Sequence, residues 1–290
     1  MSSVDFELSG QQQQIRGFIH EFAKTALRSI SLEADRTHRI PDEFLLRLGV
    51  MRSAMPGGGD SEIPEEYGGK ESVAKTDKKP SQTQRFAMLG AEELAWGDAS
   101  ILLCLPGPGL GGPPVRFMGT PEQKKRFFGV FKQPGLHYGA YGLTEPGAGS
   151  DVSAIKSTCR KDGKEWVING RKCFITNGAR ADWVVIFATT DKTLGRTGHR
   201  AFVVEKGTPG FSVGKIEEKM GLRASETAEL VLEDCRVHED CLLGGEKYYE
   251  GKEGFMGAMK TFDTTRPMVG AMAVGIARAA FEKAVEFAKE

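Results

Sequence analysis

Apolar residues in the first third of the chain recur at helical spacing. From Gln11 to about Ala34, Ile15, Phe18, Ile19, Phe22 and Ala23 form one stripe, which predicts an amphipathic helix with a single buried face. Pro41 suits a first helical turn, so a second helix is expected there with Phe44, Leu45 and Leu48 inward. Met55 to Lys79 breaks the pattern with Gly57-Gly-Gly59, Pro64 and many charges, and Lys70 to Gln84 reads as a polar surface insertion. The helical period returns from about Gln84 to Trp96, with Phe86, Leu89 and Leu94. Leu105 to Pro114 then alternates glycine and proline. Thr120-Pro-Glu-Gln123 is a helix start: Thr120 caps, Pro121 takes the first helical position and Gln123 reaches back. That helix should run to about Phe131 and stop at Pro134-Gly135.

From Tyr138 to about Leu243 the period changes to two. Strands are expected at Tyr138–Leu143, Lys164–Asn169, Lys172–Asn177, Asp182–Thr189, Arg200–Lys206, Phe211–Glu217 and Ala228–Val237. Turn signals separate them, and Asn169-Gly170 carries the signature of a type I′ hairpin. After Gly251 a helical stripe of Phe262, Val269, Met272, Ile276, Ala280 and Phe287 is still running at Glu290. The fold class is therefore α+β: an N-terminal helical domain (1–137), a middle β-barrel or sandwich domain (138–247) and the opening helix of a third, helical domain (248–290).

Charge narrows the function. Lys plus Arg and Asp plus Glu each total 39, so the formal net charge is zero. A nucleic-acid or anionic-membrane partner held by bulk charge is not expected. No apolar run approaches a membrane span, and Met1 to Glu7 has neither a secretory signal nor an arginine-rich transit peptide. A cytoplasmic, bacterial setting is expected, with the mitochondrial matrix as the alternative. The 5 cysteines are odd in number and lack a C-x-x-C pair, so free thiols and no metal site are expected.

The stretch with the richest chemistry is Tyr141-Gly-Leu-Thr-Glu-Pro-Gly-Ala-Gly-Ser-Asp151. It has neither period. Pro146, Gly147 and Gly149 favour a fixed irregular loop, and Thr144 and Ser150 add hydroxyls that donate and accept. Such a loop suits a polar, partly anionic ligand; a plain surface turn is the other reading.

The loop is followed by Trp166-Val-Ile-Asn-Gly-Arg-Lys-Cys-Phe-Ile-Thr-Asn-Gly178 and then Ala181-Asp-Trp-Val-Val. These motifs, in this order, closely resemble the acyl-CoA dehydrogenase family of flavoproteins, and the resemblance runs from the first helix to Glu290. It implies FAD as cofactor and α,β-dehydrogenation of an acyl-CoA thioester. It also implies an electron-transferring flavoprotein as acceptor and a homo-oligomer, dimer or tetramer, in fatty acid metabolism. Matched position by position, Tyr141, Leu143, Thr144, Ser150, Phe174, Ile175 and Thr176 fall on the cofactor set. Ser150, Asp263 and Arg266 fall on the substrate set. Phe174 stands where the family most often has tryptophan. Asp263 also reads as an N-cap at the start of the last helix, and Arg266 as a solvated side chain.

The resembling family usually walls the acyl pocket with a helix at Leu105 to Pro114; so much proline and glycine there suggests a broken or opened version, and the small residues from Gly107 to Gly112 suggest a wider acyl site. The family's catalytic glutamate lies in its C-terminal bundle or, in a minority, one residue before the arginine matching Arg266. That position is Thr265, so no catalytic base is expected among these residues, and a continuing chain is expected to supply one. A flavin oxidase or monooxygenase on the same fold, or a non-catalytic paralogue completed by a partner chain, are the alternatives.

Overall fold

The computed structural model describes residues 7–54, 83–250 and 253–290. The loop predicted from Met55 to Lys79 lies outside the described residues.

Ser9 starts the first helix with a reciprocal cap: the Gln12 amide donates to Ser9 Oγ (3.3 Å) and the Ser9 amide to Gln12 Oε1 (3.0 Å). Helix α1 (Gly10–Phe22) passes through a π turn (Ala23–Leu27) into α2 (Arg28–Thr37). Helix α3 (Asp42–Ala54) follows, with Leu45 and Leu48 buried as the stripe predicts. Helix α4 (Thr83–Leu103) crosses the π turn so closely that a Cβ on Gly97 would lie 2.9 Å from Ala23 Cβ. Asp98 leaves the helical region and restarts the helix, accepting from the Ser100 (2.7 Å) and Ile101 (3.1 Å) amides.

The glycine and proline run breaks the helix, one of the two expected forms, and folds against the sheet rather than opening away from it. Gly107 and Tyr138 form a parallel bridge, and the Gly139 amide donates to the Gly107 carbonyl (2.9 Å). A Cβ on Gly111 would sit 2.5 Å from the Ala140 carbonyl oxygen and 2.7 Å from the Trp183 ring. These residues are small because backbone docks on backbone, so their size carries no argument for a wider pocket. Helix α5 (Gly112–Met118) follows. Helix α6 (Pro121–Gly129) opens with the predicted capping box of Thr120 and Gln123.

Among the described residues seven strands form one sheet: β1 (Gly139–Gly142), β2 (Thr158–Asp162), β3 (Glu165–Thr176), β4 (Trp183–Thr189), β5 (His199–Glu205), β6 (Phe211–Ile216) and β7 (Thr227–His238). β4 lies between β1 (parallel) and β5 (antiparallel), and every residue of β4 is buried, as its near-continuous apolar run requires. β2, β3, β7 and β6 form the antiparallel remainder. The two parts join where Thr158 meets Thr189, and the sheet curls there around a shared core that includes Phe187, Phe202, Ile168 and Leu230.

Two strand assignments need correction. Asn169-Gly170 is a bulge inside a continuous β3, not a hairpin. The Asn169 side chain pairs across to Asp234 in β7, accepting from its amide (2.8 Å) and donating to its carboxylate (3.0 Å). Gly170 lies against Ser157, where a Cβ would meet Ser157 Oγ at 2.2 Å. The tight hairpin is between β2 and β3, at Gly163 (φ 64°), and β2 itself was not expected because only Cys159 of it is buried.

The last helix, α7 (Glu253–Phe287), starts well before Asp263, so Asp263 is not an N-cap. α7 lies against α4 at Gly275, where a Cβ would be 2.1 Å from the Glu92 carbonyl oxygen. Two ion pairs and one indole hydrogen bond lock the crossing: Arg278 bonds Glu92 and Glu93, and the Trp96 indole donates to Glu282 (2.8 Å). His20 Nδ1 on α1 lies 2.8 Å from Glu93 Oε2. The outer side of α7 exposes Val269, Val274, Phe281 and Phe287.

Two predictions follow from this packing. Gly111→Ala should destabilise the chain by about 1–3 kcal/mol through overpacking against Ala140 and Trp183, read as a lowered urea midpoint. Burial raises the Glu93 pKa, but Arg278 and His20 outweigh it and hold it below 4.5. A depressed carboxylate stabilises the fold above its unfolded value, and that stability is lost as pH falls through the folded value. Thermal stability should therefore drop below about pH 4.5, and Glu93→Gln should flatten that part of the profile; an unchanged acid limb would contradict the assignment.

Candidate functional site

The loop leaves β1 at Gly142, where a Cβ would strike Ile186 at 2.6 Å, and returns at Val152. Glu145 fixes its shape. Only 6% exposed, it accepts from the Lys156 amide (2.5 Å), the Ser157 amide (3.0 Å) and Lys172 Nζ (2.6 Å). Lys172, fully buried on β3, also donates to the Leu143 carbonyl (3.3 Å). Burial pushes the Lys172 ammonium down to about 8 against the attraction of Glu145. Burial also works to raise the Glu145 carboxyl, but the Lys172 charge and the donated hydrogen bonds outweigh it and hold it below its ordinary value. The pair is charged at neutral pH.

This clamp sets the loop beside the second half of β3. The Cys173 amide donates to the Thr144 carbonyl (3.0 Å). Between Lys172 and Ile175 the register against β7 shifts, so Cys173 and Phe174 bulge. Phe174 takes a left-handed conformation (φ 58°) and points outward, 65% exposed. A bulky residue in this region costs roughly 1 kcal/mol or more, so the bulge fixes the direction of the ring at the expense of local strain.

The other expected site residues divide. Leu143 and Ile175 are buried and support the site from beneath. Tyr141 is half-buried, its ring edge-on to Phe187 at 5.4 Å. Thr144 and Thr176 are half-buried, and Ser150 is exposed at the loop's far end, before Asp151 accepts from the Ser153 amide (3.0 Å). The structure thus brings Tyr141, Leu143 and Thr144 together with Phe174, Ile175 and Thr176. Asp263 and Arg266 are exposed on a separate element, α7, which packs mainly on α4 and α5. Sequence reasoning missed the roles of Glu145 and Lys172. The signal was available: Lys172 falls in the inward phase of Trp166 and Ile168, where a lysine needs a buried partner.

A flat, polar-edged cofactor fits these residues. Phe174 offers an outward aromatic face, and the Thr144 hydroxyl makes no hydrogen bond to the described residues. Helices on a curled sheet, with a clamped polar loop beside that ring, are the arrangement that the sequence resemblance implies.

The comparisons agree. Models of the acyl-CoA dehydrogenase N-terminal, middle and C-terminal domains match residues 9–130, 140–235 and 252–290. Acryloyl-CoA reductase (NADH) of Anaerotignum propionicum is 40% identical over 293 residues, covering 100% of this chain and 69% of that protein. Butyryl-CoA dehydrogenase of Megasphaera elsdenii superposes with a TM-score of 0.81 at 36% identity, over 99% of this chain and 71% of that one. A chain from the structure of the electron transferring flavoprotein of Acidaminococcus fermentans gives 0.80 at 39%, over 99% and 70%. The chain belongs to the acyl-CoA dehydrogenase family and spans about 70% of the length of these relatives. No helix among the described residues is long and apolar enough to cross a membrane.

The clamp generates a direct prediction. Lys172→Met leaves Glu145 buried without its cation and should cost about 3–5 kcal/mol, whereas Lys172→Met with Glu145→Leu should recover much of it. Equal urea midpoints for the single variant and the parent would contradict the clamp.

Proposed function

We propose that this chain is the flavin-holding part of an acyl-CoA dehydrogenase that binds FAD and oxidises a short acyl-CoA thioester between Cα and Cβ. The observation that carries this reading is the Phe174 ring, held outward by a strained bulge beside Thr144. FAD, when bound, supplies the acceptor for the β-hydrogen as hydride. Thr144 donates a hydrogen bond to the ring's polar edge, and the loop amides favour negative charge there. Phe174 covers one face and keeps water from it. Tyr141, Leu143, Ile175 and Thr176 complete the cofactor contacts. Ser150 touches both FAD and the coenzyme A portion of the substrate, and Asp263 and Arg266 contact the substrate. On this reading the chain divides into domains at 1–137, 138–247 and 248–290.

No carboxylate here is assigned as the base. Glu145 and Glu93 are committed to buried ion pairs, and Thr265 cannot take a proton as a carboxylate does. An electron-transferring flavoprotein as partner is supported by the Acidaminococcus likeness, and a homo-oligomer by the family. The likeness to a reductase supports a site able to run the same chemistry in either direction.

The test is cofactor affinity. Phe174 is exposed, so Phe174→Ala should leave the unfolding free energy of the cofactor-free chain within about 0.5 kcal/mol of the parent. The same change should weaken FAD binding, followed by flavin fluorescence quenching. Thr144→Val should weaken it about fivefold, the value of one hydrogen bond near 1 kcal/mol. Unchanged affinity in both variants would remove the reading. Bleaching of the bound flavin by a short acyl-CoA under anaerobic conditions would identify the substrate class.

A further inference from the structure

The loop is held a second time where it returns to the sheet. Val152–Ala154 lies against the turn Lys192–Gly198, and His199, the first residue of β5, is only 5% exposed. Its ring hydrogen-bonds the Ser153 backbone. The Ser153 amide is already given to Asp151 Oδ1 (3.0 Å), so the carbonyl is the acceptor and the imidazole donates. His199 is also tied to the clamp through the sheet. It pairs with Thr189, the Thr189 amide donates to the Ser157 carbonyl (2.8 Å), and the Ser157 amide donates to Glu145 (3.0 Å). Glu145 and Lys172 thus set the middle of the loop, and His199 sets its return.

The charges around the ring make this second anchor depend on a proton. Lys172 acts on it from β3, Glu145 from the loop and Arg196 from the turn before β5, while Thr189, its partner on β4, carries no charge. Burial and, after it, the Lys172 cation hold the imidazole below its ordinary 6.5, against the Ser153 bond and Glu145. At neutral pH the ring is therefore uncharged, and Lys172 and Glu145 form a matched pair. A proton on His199 sets a second buried cation beside Lys172 against the same carboxylate, and Arg196 adds to the excess. Because the folded state disfavours that proton, the arrangement is fully stable above 6.5 and weakens as pH falls through the lower folded value. The clamp's own groups titrate outside this window, Lys172 at about 8 and Glu145 below 4.5.

We propose that His199 is a positioning residue for the cofactor loop: the neutral ring holds Ser153 in place, protonation releases it, and cofactor binding weakens in mild acid. His199 touches no residue of the expected cofactor set and acts on Thr144 and Ser150 through the loop between them. The consequence for binding rests on the flavin reading given above; the anchor itself does not.

The experiment has two arms, both on the 290-residue protein. In the first, without FAD, NMR follows the His199 ring and the Ser153 and Ala154 amides from about pH 8 to about pH 5, the range in which an imidazole titrates. One titration shared by all three, with its midpoint below 6.5, is expected. Amides that do not follow the ring would overturn the anchor. In the second, FAD affinity is measured by fluorescence quenching over the same range. The parent should lose about threefold or more by about pH 5, one linked proton allowing at most about tenfold per pH unit. The chain has 5 histidines, so the variants carry the assignment. His199→Asn and His199→Gln each keep a neutral amide donor near one of the two ring nitrogens. At least one of them should bind FAD within about twofold of the parent at neutral pH, with no fall in acid, as a donor that keeps its bond but cannot titrate requires. His199→Phe fills the ring's place without a donor and should bind about fivefold more weakly at every pH, the worth of one hydrogen bond. Amide variants that keep the parent's pH dependence, or that are both as weak as His199→Phe at neutral pH, would overturn the proposal. If no protein binds FAD at any pH, the flavin reading fails, and the first arm still decides whether His199 holds the loop.

Discussion

A single buried ion pair organises the site. Glu145 and Lys172 come from a loop and a strand that share no backbone ladder, and both are almost wholly removed from water. Burying either charge alone would cost several kcal/mol, so each is tolerable only because the other is present and the remaining lone pairs are filled. Glu145 takes three donors and Lys172 gives to both a carboxylate and a carbonyl. The pair adds little net stability by itself. What it supplies is uniqueness: a glycine-rich loop with many available conformations has one in which both charges are satisfied.

From that constraint the rest of the geometry follows. With the loop fixed, the Thr144 carbonyl is in place to receive the Cys173 amide, and the β3 bulge can turn Phe174 outward. The sheet supports this from beneath with a fully buried β4 and from the side with the Gly107 to Gly111 backbone on β1. The helices close the other flank, where Glu93 draws α1, α4 and α7 to one point. Both clamps use a buried glutamate, and both lie between elements distant in sequence.

Much of this was legible in the sequence. The helical stripes, the Thr120 capping box, the start of the β region and six of the seven strand regions follow from periodicity and turn chemistry alone. The misreadings share a cause. Asn169-Gly170 carries a hairpin signal, but the Asn169 side chain is claimed by Asp234 and Gly170 by Ser157, both long-range partners that local pattern cannot see. Gly107 to Gly112 reads as an opened wall, and only the proximity of β1 explains its small residues. β2 was missed because four of its five residues face solvent. The cofactor residues were placed by resemblance, whereas the clamp beneath them needed the structure.

The central claim is that the loop and the bulged strand are preorganised by Glu145 and Lys172 before any cofactor arrives. Amide hydrogen exchange on the cofactor-free protein tests it directly. The Lys156, Ser157 and Cys173 amides each donate into this arrangement. Strong protection of all three is expected in the free protein, with little further gain on adding FAD, and with loss of protection in Lys172→Met at denaturant concentrations where the β4 amides stay protected. Fast exchange of these three amides in the free parent protein, slowed only when FAD is added, would contradict it.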